Sequence, residues 1–260
     1  FQPSKRAKLI WLEAAGSVTL EFPDLVGLVN KAKAAHVLTA LDNTWGAGLA
    51  FNAFDFSEQH LSVDLTIHAL TKYPSGGADI LMGSVVTQNK ELYQQLFQIH
   101  ALQGICVSGD DSAQIQRSLA SMRMRYAHQA ESTLKILNWL QQQEPCVQVL
   151  HPAAPDSAGH SYWKEVCSSE QSAGLVSVIF KAAYDLTAIR KFCDSLQLFK
   201  LGFSWGGPIS LVMLYQLNEM RTLESDHLQS GILVRFCIGL EHADDLIADL
   251  KQALQHLPLL

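Results

Sequence analysis

Three short apolar runs, "AKLIWLEAA", "HVLTALD" and "VDLTIHALTK", occur within the first 72 residues. A strand with one wet face alternates polar and apolar residues, whereas a strand that stays apolar is buried on both faces. Between the first two runs lies "FPDLVGLVNKAKAA", whose apolar residues recur at helical spacing. Apolar strands separated by helices predict a mostly parallel sheet covered on both faces. "ILMGSVVT" follows closely as a fourth strand.

From about Glu91 the pattern becomes helical, and "SMRMRYAHQAESTLKILNWLQQQ" keeps helical spacing for about six turns. The texture then changes. "CVQVLHP", "AGLVSVIFKA", "LFKLGF" and "GILVRFCIGL" read as strands, "DLTAIRKFCDSL" and "HADDLIADLKQALQHL" as helices. This predicts a second, smaller α+β domain with helices on one face of its sheet. The boundary is expected near Arg117, at the start of the long helix, dividing the chain into 1–117 and 118–260.

Bulk properties narrow the function classes. A net charge of −6 without a basic block argues against nucleic-acid binding. The longest apolar runs are strand-length, far short of a membrane span. Five cysteines without a CxxC read as reduced thiols of a cytoplasmic protein, and ten histidines without HxxxH or HExxH spacing give no metal site. No signal peptide opens the chain, and its first residue, Phe1, suggests a fragment or a processed chain.

Polar residues gather where two of the apolar runs end. "ALDNTW" closes one strand with Asp42, and "HALTK" closes the next with Thr71 and Lys72. In open α/β sheets, ligands bind in the crevice at the carboxyl ends of strands. Each residue has a plainer reading: Asp42 as a helix N-cap, Lys72 as a solvated edge charge, Thr71 as an ordinary strand residue. Together they form a set suited to pyridoxal 5'-phosphate (PLP). That cofactor needs a lysine amine for its aldehyde, a carboxylate facing its ring nitrogen, and hydroxyl or backbone donors for its phosphate. Further on, Arg235 stands alone among the apolar residues of "GILVRFCIGL" and should face an anion, the alternative being a structural salt bridge.

The chain resembles the Cys/Met-metabolism family of PLP enzymes. The ordered blocks that carry this are "WLEAAGSVTLEF", "LDNTWGAGLAF", "TKYPSGGADILMGSVV", "HPAAPDSAGHSYWKE", "FSWGGPISL" and "GILVRFCIGLE" with the following "HADDLIADL", spanning essentially the whole sequence. The resemblance implies a fold-type I PLP-dependent transferase-like α/β architecture. In it, 1–117 is the C-terminal part of the PLP-binding large domain and 118–260 the small α+β domain. It implies that Lys72 holds the cofactor, Asp42 faces the ring nitrogen and Thr71 contacts the phosphate. It also implies that Arg235 clamps the substrate α-carboxylate beside Ser204 and Trp205, with Phe203 toward the distal part of the substrate.

Some positions depart from the family pattern. A second phosphate hydroxyl is replaced by Ala69, the loop before Lys72 carries the extra "SEQHLS", and Gly77 and Ala78 stand where Gly-His-Ser-Asp is usual. Phe203 replaces a more usual Tyr, and "GGPISL" departs from Gly-Gly-x-Glu-Ser-Leu. An aromatic before Ser-Trp-Gly-Gly resembles the β-lyase branch, which implies β-elimination of L-cystathionine to L-homocysteine, pyruvate and ammonia by a homo-oligomer, a dimer of dimers. A cysteine or cystine lyase, a γ-lyase or γ-synthase of the same family, and an inactive fragment are the alternatives. Family chains are normally longer at the N-terminus, and that part carries the tyrosine stacked on the ring, phosphate donors, and residues contributed across a dimer interface. The resemblance therefore implies a half-built cofactor site in this chain.

Overall fold

The computed structural model describes residues 4, 6–167, 171–221 and 225–259. The first sheet contains β1 (Leu9–Glu13), β2 (Leu38–Asp42), β3 (Leu65–Ala69) and β4 (Gly83–Val86), in that spatial order. β1, β2 and β3 are parallel, and β4 runs antiparallel to β3. Between β1 and β2, α1 (Leu25–Ala34) begins where the Asp24 carboxylate accepts the Gly27 N–H at 2.8 Å. A carboxylate there serves an orphan donor and the positive end of the helix dipole.

β1 differs from its expectation. The run reads as buried on both faces, yet Leu9 is 45% and Trp11 60% exposed: alternate residues on one face of β1 lack cover among the described residues, where β1 is also an edge strand. Two helices follow the sheet. α2 (Lys90–Leu102) is capped by Asn89 and buries none of its side chains. α3 (Gly109–Leu140) starts at the Ser108 cap, so Arg117 lies inside the helix rather than at its start. Its Arg125 and Tyr126 reach Tyr73 and Trp45 of the first half, while Ile136, Leu137 and Leu140 enter the core of the second.

The second sheet is built from β5 (Cys146–Leu150), β6 (Leu175–Phe180), β7 (Lys200–Leu201), β8 (Leu211–Tyr215) and β9 (Leu233–Cys237), in the order β5-β6-β9-β8-β7. All neighbours are antiparallel except β7 and β8. α4 (His160–Val166), α5 (Leu186–Ser195), α6 (Leu217–Met220) and α7 (Ala243–Leu254) complete the chain. β8 and α4 have no counterpart in the sequence reading. β6 and β9 are buried along their whole length. Val176, Val178, Val234 and Phe236 pack on α3, α5 and α7. By strand alternation, Arg235 and Cys237 lie on the opposite face, toward the first sheet.

The two halves meet around Tyr73. Its buried ring stands edge-on to Tyr126 (4.8 Å between centroids) and Trp205 (5.7 Å), and its hydroxyl oxygen accepts the Gly174 N–H at 2.7 Å. Gln129 of α3 donates to the Gly207 and Ile238 carbonyls at 2.7 and 3.0 Å. Gly206 has φ +78°, and a Cβ there would lie 3.0 Å from the Tyr73 nitrogen and 3.2 Å from the Lys72 Cβ. The backbone must come this close, and only glycine accommodates both the conformation and the distance. Gly206→Ala should therefore lower unfolding free energy by about 2–4 kcal/mol through left-handed strain and overpacking. Urea unfolding measures this, and an unchanged midpoint would mean the seam adjusts without cost.

Candidate active site

Asp42 is the last residue of β2. Its Oδ1 accepts the Thr44 N–H at 3.0 Å and the Thr44 hydroxyl at 2.6 Å. The same hydroxyl oxygen accepts the Ala69 N–H at the end of β3, at 2.9 Å. The carboxylate is thus held by a local Asx-type turn, and no helix follows for it to cap. Thr44 ties two strand ends together and holds Asp42 in place. The sequence reading missed it, although the Asp-x-Thr spacing was the signal.

Lys72 lies in the turn just beyond β3. The Ser75 hydroxyl braces that turn, set against the Thr71 carbonyl at 2.7 Å and the Lys72 carbonyl at 3.1 Å. The Lys72 Nζ donates to Ser204 Oγ at 3.1 Å and lies 5.3 Å from the centre of the Trp205 ring. Burial, and then the positive charge of Arg235, push the Lys72 amine below its ordinary value, with Cys237 opposing. An amine so placed loses its proton more readily than a solvated lysine does. Lys72 is not the solvated edge charge of its plainer reading.

Asp42, Lys72, Thr44, Trp45, Trp205 and Glu13 share the lining of one cavity of about 250 Å³. Ser204 joins them through Lys72. Thr71 turns elsewhere: its hydroxyl accepts the Met82 N–H at 3.2 Å and faces the Met82 carbonyl at 3.4 Å.

Arg235 is 4% exposed and is not among the residues lining that cavity. Its Nη1 donates to the Ser17 carbonyl at 2.8 Å and its Nη2 to the Phe203 carbonyl at 2.6 Å. Its guanidinium also lies 5.4 Å from the centre of the Tyr215 ring. Among the described residues no carboxylate stands within ion-pair distance of it. The salt-bridge alternative therefore has no partner there, and burial pushes the guanidinium below its ordinary value. Two carbonyls, one from each half of the chain, orient the fork and leave N–H groups for an anion. Phe203 meets Arg235 with its carbonyl; the residue is 69% exposed, and its ring stands edge-on to Tyr215. The Cys237 thiol, which accepts the Gly206 N–H at 3.3 Å, is pushed up to about 11 by burial.

The sequence pattern of the Cys/Met metabolism PLP-dependent enzymes matches residues 2–255. The cystathionine beta-lyase MetC of Escherichia coli (strain K12) is 35% identical over 249 residues, 94% of this chain and 60% of that protein. The cystathionine beta-lyase of Bordetella avium is 36% identical over 247 residues, 95% of this chain and 60% of that protein. The chain thus spans about 60% of the length of these relatives. The crystal structure of a cystathionine gamma synthase from Xanthomonas oryzae pv. oryzae, in complex with aminoacrylate and cysteine, superposes with a TM-score of 0.80 at 26% identity. That match covers 96% of this chain and 63% of the crystallised one. By sequence pattern and by fold, the chain belongs to the Cys/Met metabolism family of PLP-dependent enzymes.

Proposed function

We propose that this chain carries the lysine-bearing part of a carbon–sulfur lyase that cleaves L-cystathionine by β-elimination, giving L-homocysteine, pyruvate and ammonia. The observation that carries this reading is one cavity faced by both Asp42 and Lys72, with the buried guanidinium of Arg235, which among the described residues has no carboxylate partner, close enough for its charge to act on Lys72. Residues 1–117 form the cofactor-binding part and 118–260 the small domain, with α3 shared between them. The protein works in the cytoplasm as a dimer of dimers.

The residues fit PLP. Lys72 supplies an amine of lowered basicity. Asp42, fixed by Thr44, supplies a carboxylate that keeps a ring nitrogen protonated, since an opposite charge favours the charged form. Thr71 serves the phosphate only after its hydroxyl leaves the Met82 backbone. When bound, the cofactor supplies an electron sink for charge developing at the substrate Cα.

The remaining work falls to the chain. The Lys72 amine, free of its bond to Ser204, takes the Cα proton. Arg235 holds the α-carboxylate by charge-assisted bonds, with Ser204 and Trp205 alongside and Phe203 toward the distal part. Homocysteine leaves from Cβ with the C–S electron pair and takes up the proton that Lys72 removed, and water hydrolyses the remaining three-carbon fragment with its α-nitrogen to pyruvate and ammonia.

The run Phe203-Ser204-Trp205-Gly206-Gly207, whose Trp205 stands against Lys72, favours the β-lyase reading over the γ-enzymes. The second reading, a γ-synthase or γ-lyase, draws on the likeness to the Xanthomonas structure. The products separate the two. The intact protein should turn cystathionine into pyruvate and homocysteine, and chromatographic detection of 2-oxobutyrate and cysteine instead would move it to the γ-lyases.

Borohydride reduction of the holoprotein followed by peptide mapping should leave the pyridoxyl group on Lys72; finding it on another lysine would refute the assignment. Arg235→Leu removes a contact worth about 1.5–3 kcal/mol, so kcat/KM should fall by roughly ten- to a hundredfold or more while the cofactor absorbance persists. Arg235→Lys should also be poor, because an ammonium cannot reproduce the fork. Unchanged steady-state kinetics in Arg235→Leu would remove the carboxylate clamp.

A further inference from the structure

We propose that Glu13 is a specificity-determining residue whose carboxylate receives the ammonium of the substrate half that departs with the sulfur. This rests on the cystathionine reading above and names the part of the substrate that reading leaves without a partner.

Glu13 is the last residue of β1 and lies in register with Asp42, the last residue of β2. Residues in register on neighbouring parallel strands project to the same face, so the two carboxyl groups are neighbours. Glu13 lines the cavity that holds Asp42 and Lys72. It also lines a second cavity of about 300 Å³, reaching Leu217, Met220 and Arg221. Glu13 and Ser17 are the residues common to both. Glu13 thus stands where a substrate too long for the Lys72 cavity would extend into the adjoining one.

The charges around this wall leave Glu13 without a counterion among the described residues. Arg221 is paired with Glu21 at 3.0 Å, and His227 lies on the same Glu21 carboxylate. Lys72 donates to Ser204, and Asp42 is the carboxylate assigned to the ring nitrogen. Among the described residues no cation stands within ion-pair distance of Glu13, and only the Ser17 backbone favours its charged form. Burial first, and then the Asp42 charge, push the Glu13 carboxyl above its ordinary value. A carboxylate in that position gains from an arriving cation.

The substrate half bound at Arg235 commits its α-carboxylate there and its α-amine to the chemistry. In cystathionine the departing half has a second ammonium, and Glu13 is the unspent anion on its path.

The test uses the intact holoenzyme and Glu13→Gln, which keeps shape and removes charge. Two substrates share the chemistry at Cβ: L-cystathionine, and S-ethyl-L-cysteine, which has no second ammonium. The ratio of their kcat/KM values should fall about ten- to a hundredfold in the variant, through KM for cystathionine, the size of a lost charge-assisted bond.

A second readout needs no turnover. In borohydride-reduced holoenzyme the cofactor no longer reacts with amines, and calorimetry there should show wild type preferring L-homocysteine over 4-mercaptobutyrate. Glu13→Gln should lose that preference, and Glu13→Asp should keep part of it. An unchanged ratio with an unchanged calorimetric preference overturns the assignment. So does an equal loss on both substrates accompanied by a shifted cofactor band, which would give Glu13 to the cofactor. If wild type makes no pyruvate from cystathionine, the reading of the site itself falls; if it makes pyruvate and the variant discriminates as before, only the Glu13 assignment falls.

Discussion

Tyr73 is wholly buried between Tyr126 and Trp205, with its hydroxyl oxygen taking the Gly174 N–H. That one side chain belongs to the first half of the chain, while its partners come from the long helix and from two segments of the second half. It directly follows Lys72, so whatever holds Tyr73 also aims the lysine. The Gly206 backbone closes over the same turn in a left-handed conformation and at a distance where a Cβ would crowd it. The site is a seam between two packed halves, and its geometry is only as firm as that contact.

Electrostatics explains why the groups at the seam differ in character. Lys72 is easier to deprotonate because it is partly buried and shares its surroundings with Arg235. Arg235 cannot escape its charge, since a guanidinium stays protonated at any ordinary pH. Its burial is tolerated because the Ser17 and Phe203 carbonyls and the Tyr215 ring receive it. Asp42 and Glu13 stand side by side on adjacent strands, but a hydroxyl bridge fixes only Asp42. Two like residues thereby acquire different surroundings from their neighbours alone.

The relation of sequence to structure is uneven along the chain. Asp24 with its following apolar residues announces α1, and the long helical run announces most of α3. β8 was not legible because "LVMLY" follows Gly-Gly-Pro-Ile-Ser, a stretch that reads as loop. β1 was legible as a strand but not as an edge, since a run of apolar residues says nothing about how many neighbours pair with it. Thr71 was legible as a residue beside Lys72, while the pairing of its hydroxyl with Met82 depends on where β4 returns.

The sequence by itself determined the strand-and-helix alternation, the placement of Asp42 at the end of β2, and the isolation of Arg235 among apolar residues, whereas Lys72, expected to close β3, lies three residues past its end in a turn. These are local properties, set by side-chain periodicity and by the cost of burying an unpaired charge. Only the tertiary structure decided that Ser204 meets Lys72, that Thr44 bridges Asp42 to β3, and that Arg235 is held by one carbonyl from each half. It alone placed Glu13 beside Asp42 on the wall shared by two cavities. Such contacts join residues distant in the chain, and their distances follow from sheet register and from how closely glycine lets two backbones approach, which no local pattern encodes.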